Sequence, residues 1–522
     1  MHKRYMLPLL QEIFQKQGNN RLNTDFFVEF LYYIYHIHNW MSKTNKLPIF
    51  NKLCYGFGTM GYSSLSQTLN SFIMFFGTSI MGISGSLVGI AIAIASLWDG
   101  ISDPLVGNIS DRTKNKFFGK RLGYVLIAIF CVAVCNILLW SMPSKSQGFM
   151  FCWLLIFMLL QETVNTFFST PMSALALDLA PDYNEQSKIQ SYKTVFGIIG
   201  MILPSILMYF FMPSISIGVQ TQYTQSGFIS IAYINSVLMV FCGLIGVFGN
   251  LRRVQKTQTY SLEIVEKRSL KKLMFGYFEV FKNSSFACII LGYSVSQIAS
   301  SFLTSIGMHL FTYCYHFSST QISILLLCMF GGAIISQPIW FKLSKRIDKK
   351  LTVITALSVV LMGIGATLIT FLFRTYIDIS IIFPITCLAI LICGFGTGAM
   401  YSLPISMYAD LVSLKTFETG ENKSGAYLGY YSFTYNLSNS ISLLIMGFLL
   451  DLIKFDSTKV VQPMSVQTGL GTIVFCGCSI CLALAILIFS KYNVKRADIL
   501  KTQMKINELK EENKNKKLVE KY

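Results

Sequence analysis

Asp99 and Asp103 stand four residues apart in the largely apolar run SLWDGISDPLVG (96–107). In a helix that spacing puts both carboxylates on one face, with the Ser102 hydroxyl beside them. If the run crosses a bilayer, each ionised carboxylate is costly there and the two repel one another. A bound cation or a proton then has to compensate them. Two carboxylates and a hydroxyl form an oxygen donor set that suits a hard cation such as Na⁺, and a proton shared between the acids serves equally. The competing reading places Asp103 at the helix end in water, where Pro104 and the following basic residues allow it to cap or face a loop. Intramembrane acids default to function, so Asp99, Asp103 and Ser102 are the first candidates for a coupling site.

Other polar side chains punctuate apolar runs: Glu162, Asn165 and Thr166 together, Lys193 in the next run, His309 alone, and Tyr435, Asn436 and Asn439 near the end. Glu162 reads as approaching an interface, and His309 as bonded to a partner or interfacial, because no acid neighbours it. The asparagines read either as interhelical hydrogen-bond partners or as ligands. After Asp103 the sequence gathers Gly107, Asp111, Arg112, Gly119, Lys120 and Arg121. That cluster is either a positively charged turn set by topology, or a gating loop whose charges pair with helix ends in one conformation and separate in another. Cys476, Cys478 and Cys481 lack a fourth ligand and read as packing. No nucleophile, metal set or phosphate loop occurs at useful spacing, so neither an enzyme nor a cofactor is expected, nor a metal beyond the Na⁺ considered above.

What must position these residues is a set of membrane-crossing helices. Of 522 residues 53% are hydrophobic and only 13% charged, whereas a soluble domain carries about 25% charge. Runs long enough for a hydrocarbon core of about 30 Å fall near 55–80, 86–108, 122–142, 149–176, 191–212, 228–249, 285–312, 319–341, 351–373, 380–411, 424–452 and 469–490. The net charge of +18 would point to nucleic acid in a soluble protein. Here the basic residues fill alternate connections, such as Arg252 to Lys272 and Lys342 to Lys350, while the intervening loops are almost bare, so a bilayer and no nucleic acid is expected. Both chain ends fall on the basic side. The expectation is a multi-pass protein of the cell (inner) membrane with cytoplasmic N- and C-termini.

The chain also repeats. ISDPLVGNISDRTKNK (101–116) aligns with ISQPIWFKLSKRIDKK (335–350) at an offset of 234, and Pro171 and Ser173 match Pro404 and Ser406 at an offset of 233. Asp103 aligns with Gln337 and Asp99 with Ala333, so an acidic pair exists only in the first half. Parallel repeats of six helices are what alternating access around a central site requires. The expected division is an N-terminal extension over 1–46, interfacial or a mis-assigned start, a six-helix bundle over 47–250, a cytoplasmic connecting loop over 251–284, a second bundle over 285–491 and a charged cytoplasmic tail over 492–522.

YGFGTMG (55–61), LWDGISDPLVGNISDRT (97–113) with FGKR (118–121), PMSALALDLAPDYNEQ (171–186) and YADLVSLKTFETGENKSGAYLGYYSFTYNLS (408–438) resemble the glycoside-pentoside-hexuronide cation symporters of the major facilitator superfamily, the family of sodium:galactoside symporters. The resemblance covers about 47–495. It implies an all-α membrane protein of the major facilitator fold, about 12 transmembrane helices in two six-helix bundles, with Asp99 and Asp103 on the two cation carboxylates, Ser102 on a neighbouring polar ligand and Thr166 on a hydroxyl from the fourth helix. The sugar site departs from the family pattern: Ser63 and Ser169 replace aspartates, Asn436 replaces a lysine, and Lys193 is kept. Tyr62, Ser63, Ser169, Lys193, Tyr435, Asn436 and Asn439 are the candidate substrate residues.

The expected function is symport of a small solute, a sugar or related polar compound, with Na⁺ or H⁺, by a monomer. The alternatives are an uncoupled facilitator or exchanger, a carrier of an amphiphilic, lipid-like substrate, and lastly a non-transporting receptor.

Overall fold

In a bilayer, backbone amides find no water, so each apolar run satisfies them within a helix. The computed structural model describes residues 47–113, 115, 117–179, 183–212, 223–257, 281–419, 424–459 and 461–494, and among these it is helical with no strand. The helices are α1 (Ile49–Phe75), α2 (Gly85–Arg112), α3 (Leu122–Trp140), α4 (Gln147–Leu179), α5 (Tyr183–Phe211), α6 (Gln225–Thr257), α7 (Ser284–Tyr313), α8 (Ser319–Ile347), α9 (Lys349–Phe373), α10 (Ile379–Met400, resuming as Leu403–Thr419), α11 (Ser424–Leu452) and α12 (Met464–Ser490). Eleven of these are long and apolar enough to span a membrane. The helix that falls short is α1, whose buried face carries Thr59, Ser64, Gln67, Thr68 and Ser71. Residues 1–46, most of the connecting loop and 495–522 lie outside the described residues, and α6 runs past residue 250 to Thr257.

α1 ends in a π-helical turn, Phe76–Ile80, and α7 of the second half contains another, Phe302–Ile306. Prolines lie inside α2 (Pro104), α4 (Pro171), α5 (Pro204), α8 (Pro338) and α10 (Pro384), where neighbouring helices re-satisfy the freed carbonyls.

α1 packs on α5 and α6, α3 on α4 and α6, and α2 on α4, which makes one half; α8 and α9 pack on α10, and α7 and α9 on α12, which makes the other. Two long contacts join them, α2 with α11 and α5 with α8. The hydrogen bonds seen between the halves lie from mid-helix toward the α1–α2 turn, among them Asp99 with Asn436, Asn70 with Ser305 and Asn439, Thr78 with His309, and the start of α2 with Asp451. His309 is thus bonded to a partner, at 2.8 Å, within a cage of Phe75 and Phe455 rings. At the opposite end the ion pairs seen among the described residues lie within one half: Lys52–Glu185 at 2.5 Å, Arg121–Asp178 at 2.6 Å and Lys349–Asp410 at 2.5 Å.

Candidate functional site

Asp99 and Asp103 share one face of α2, as their spacing requires, and that face lies on α4. There the chain places a second pair of polar residues four apart. Thr166 donates to Asp99 Oδ1 at 3.0 Å, and Thr170 donates to Asp103 Oδ1 at 2.8 Å. The result is two parallel rungs, one helical turn apart. Ser102, buried, closes the first rung: its hydroxyl lies 2.9 Å from that of Thr166 and 3.1 Å from the Asp99 carbonyl. The single Thr166 proton is also within reach of the Glu162 carbonyl at 2.9 Å, so its bond to Asp99 can be given up without leaving the hydroxyl unpaired.

Asp99 is reached from the other half as well. Asn436 of α11 donates to Asp99 Oδ2 at 2.7 Å, so both oxygens of this carboxylate accept hydrogen bonds, one from each bundle. Glu162 lies near enough to act electrostatically on both aspartates, its carboxylate held by Asn165 at 3.4 Å. It therefore belongs to the acidic group and not to an outer interface, which corrects the sequence reading. None of these three acids pairs with a basic side chain among the described residues. Carboxylate and hydroxyl oxygens with no nitrogen or sulfur ligand form a hard-cation donor set. Among the described residues no cluster of three His, Cys, Asp or Glu side chains is arranged to hold a metal.

The family model described as "MFS/sugar transport protein" matches residues 54–496. The chain belongs to that family. As a family member it is similar to an uncharacterized symporter of Synechocystis sp., 23% identical over 496 residues, covering 81% of this chain and 89% of that one. It is similar also to a sodium-dependent lysophosphatidylcholine symporter of Gallus gallus, 22% identical over 497 residues and 90% of each chain. Solved structures share the fold: a D-xylose-proton symporter with a TM-score of 0.58 at 14% identity, covering 85% of this chain and 98% of that one, and the nucleoside transporter NupG with a TM-score of 0.56 at 14% identity, covering 85% and 100%. The chain is a multi-pass membrane protein of major facilitator fold.

The residues expected to bind substrate do not form one free polar cluster in this family member. Tyr62 stacks on Phe168 at 5.3 Å, its hydroxyl beside Ser169 and near the acidic group. Ser63 turns to α5, where it lies against Gly197 and Gly200. Lys193 donates to Ser173 at 3.0 Å, toward the ion-paired end of the molecule. Asn439 accepts from Ser301 at 2.9 Å. Tyr435 stacks with Tyr293 at 5.9 Å, and Tyr293 with Tyr431 at 5.1 Å, which gives the second half an aromatic wall.

In the loop after α2, Arg121 pairs with Asp178 and also donates to the Ala174 carbonyl at the end of α4. Gly119 adopts φ +73°, a left-handed conformation that glycine takes without strain. A Cβ on Gly107 would make only an ordinary contact with Thr170, at 3.5 Å, Arg112 is exposed and Lys120 half-buried, while the side chain of Asp111 is outside the described residues. Sequence reasoning missed Thr170. Its signal was arithmetic: Thr170 follows Asp103 by the same 67 residues that separate Thr166 from Asp99.

Proposed function

We propose that this chain is a secondary transporter that moves a small solute in symport with Na⁺ or H⁺, Asp99 and Asp103 being the coupling acids and Ser102 and Thr166 their hydroxyl partners. The observation that carries the reading is the Asp99 carboxylate held by Thr166 from one bundle and by Asn436 from the other. A cation entering there replaces the compensation an uncharged amide cannot supply, and so changes the bond that ties the halves together. Two bundles joined near one end and apart in their ion pairs at the other fit a carrier closed on one side. With the basic loops at the cytoplasm, that closed side is the outer one and both termini are cytoplasmic. Arg121–Asp178, with Gly107, Asp111, Arg112, Gly119 and Lys120 around it, fits a loop that remakes its pairs as the inner side moves.

The substrate is a polar solute or an amphiphile. The first follows from the polar residues at mid-membrane. The second is favoured by their engagement with protein partners, by the tyrosine wall, and by the similarity to a lysophosphatidylcholine symporter.

The test needs no known substrate. Thermal midpoints of the purified protein in nanodiscs, across Na⁺, Li⁺, K⁺ and pH series, are compared for the parent and Asp103→Asn, since a ligand that binds the native state raises the midpoint. A selective Na⁺ or Li⁺ shift, or a pH dependence, that is absent in the variant supports the coupling site. Identical behaviour of both proteins in all series removes it and leaves an uncoupled facilitator. Sugars and lysophospholipids added to the cation-loaded parent then separate the two substrate classes.

A further inference from the structure

The N-terminus of α2 is capped in an unusual way. Ser84 occupies the N-cap position, where a serine hydroxyl ordinarily accepts from the backbone N–H two or three residues on, yet it makes no such bond. It donates instead to Asp451 Oδ2, at 2.7 Å, on α11 of the opposite half. The same carboxylate accepts the Gly85 N–H through Oδ1 at 2.8 Å and the Ser86 N–H through Oδ2 at 2.8 Å. The first orphan amides of α2 and the positive end of its dipole are therefore satisfied from the other bundle.

The backbones beneath are in close contact. A Cβ on Gly447 would lie 2.1 Å from the Gly85 carbonyl oxygen, and one on Gly89 would lie 2.9 Å from that of Leu443. Three glycines thus let α11 come near enough to α2 for Asp451 to reach.

We infer that Asp451 and the α2 N-terminus form a clasp holding the α1–α2 end of the molecule closed, and that Ser84 makes the clasp reversible. When the bundles part, the Ser84 hydroxyl gives up its role as donor to Asp451 and turns to accept from its own helix. Of the two amides that Asp451 releases, that of Ser86 then keeps a partner, while that of Gly85 is left to water at the helix end. The trans cap and the self cap are alternative states of one serine, so the helix end is bistable instead of merely broken. The inference rests on the two-bundle architecture and on none of the coupling residues. It is tested without cation or substrate, so its failure is separate from theirs.

The experiment is hydrogen–deuterium exchange of the full-length protein in nanodiscs, comparing the parent with Asp451→Ala, Asp451→Asn and Ser84→Ala/Asp451→Ala. Loss of a cap is worth about 1 kcal/mol, a shift of roughly five-fold in the ratio of states. In Asp451→Ala, segments 84–89 and 305–313 should exchange faster together, while inner segments 189–194 and 408–412 slow. Asp451→Asn, which keeps an acceptor but no charge and is least prone to misfold, should lie between. The double variant, lacking the self cap, should fall back toward the parent at 305–313 and at both inner segments. Faster exchange confined to 84–89, with the other segments at parental rates in Asp451→Ala and Asp451→Asn, would mean a local cap only and overturn the clasp.

Discussion

A threonine in an apolar helix commonly turns its hydroxyl back to the carbonyl four residues earlier, and Thr166 has that option at the Glu162 carbonyl. Its position opposite Asp99 gives it a second option, and in the proposed coupling role a cation ligated by Thr166 shifts the choice between them. Thr170, bonded to Asp103, stands one turn along. With Thr166 proposed as a hydroxyl ligand of the cation, Thr166→Ala removes that oxygen from the bound state, and the cation-induced thermal shift is expected to weaken by roughly ten-fold in apparent affinity, the equivalent of about 1.4 kcal/mol. Thr170→Ala should weaken it to a smaller degree, because among the described residues Asp103 has no partner from the second bundle. Cation titrations of the two variants check this; equal, parental affinities would show that the hydroxyls are packing groups. The acidic pair was legible in the sequence because an i,i+4 spacing in an apolar run is a local signal. Asn436 was legible as a candidate substrate residue but not as a partner of Asp99, since that bond joins positions 337 residues apart, and no periodicity encodes that.

At the scale of helices, close approach is set by glycines, and the consequence of adding a methyl depends on which helices meet. Gly394 of α10 packs on α8 within the second half, where a Cβ would come 2.0 Å from the Met329 carbonyl oxygen. Gly447 of α11 packs across the halves on α2, with a Cβ 2.1 Å from the Gly85 oxygen. Both obstacles are backbone and cannot swing away, so each alanine costs about 1–3 kcal/mol. The outcomes should differ in kind. Gly394→Ala is expected to lower the thermal midpoint while leaving the exposure of the two ends unchanged, whereas Gly447→Ala should also raise labelling of the α1–α2 end by an impermeant probe, since parting the bundles relieves the clash. Equal labelling of both variants would contradict a moving α2–α11 contact. Most helices were readable from hydropathy, but α1 begins at Ile49, six residues before the apolar run near 55–80, because its first turns are held by polar contacts. The interruption of α10 between Met400 and Leu403 was hidden inside one continuous apolar stretch.

For the molecule as a whole, the six-plus-six organisation was visible as two gapless matches at nearly one offset, because repeated helices keep their turn chemistry where their cores drift. Which end is closed was not visible, because it depends on contacts between repeats and not on either repeat alone. What ties the first bundle together at the other end is buried charge. Glu185 at the start of α5 is 3% exposed and takes Lys52 of α1 at 2.5 Å, Lys188 at 2.7 Å and the Leu47 N–H at 3.2 Å. The Lys188 and Lys52 hydrogen bonds hold its carboxyl well below the ordinary 4.5, at about 2. A carboxyl whose folded value is depressed contributes stability that is complete above the unfolded value and drains away as pH falls toward the folded one. Glu185→Gln leaves Lys52 buried without a counter-charge, at a cost of about 3–5 kcal/mol. The gap in thermal midpoint between parent and variant should therefore be widest near neutral pH and begin to close once the pH drops below about 4.5. A gap that persists unchanged down to the lowest pH at which the protein stays monodisperse would assign the effect to shape and not to charge, and would free α1 from its electrostatic anchor on α5.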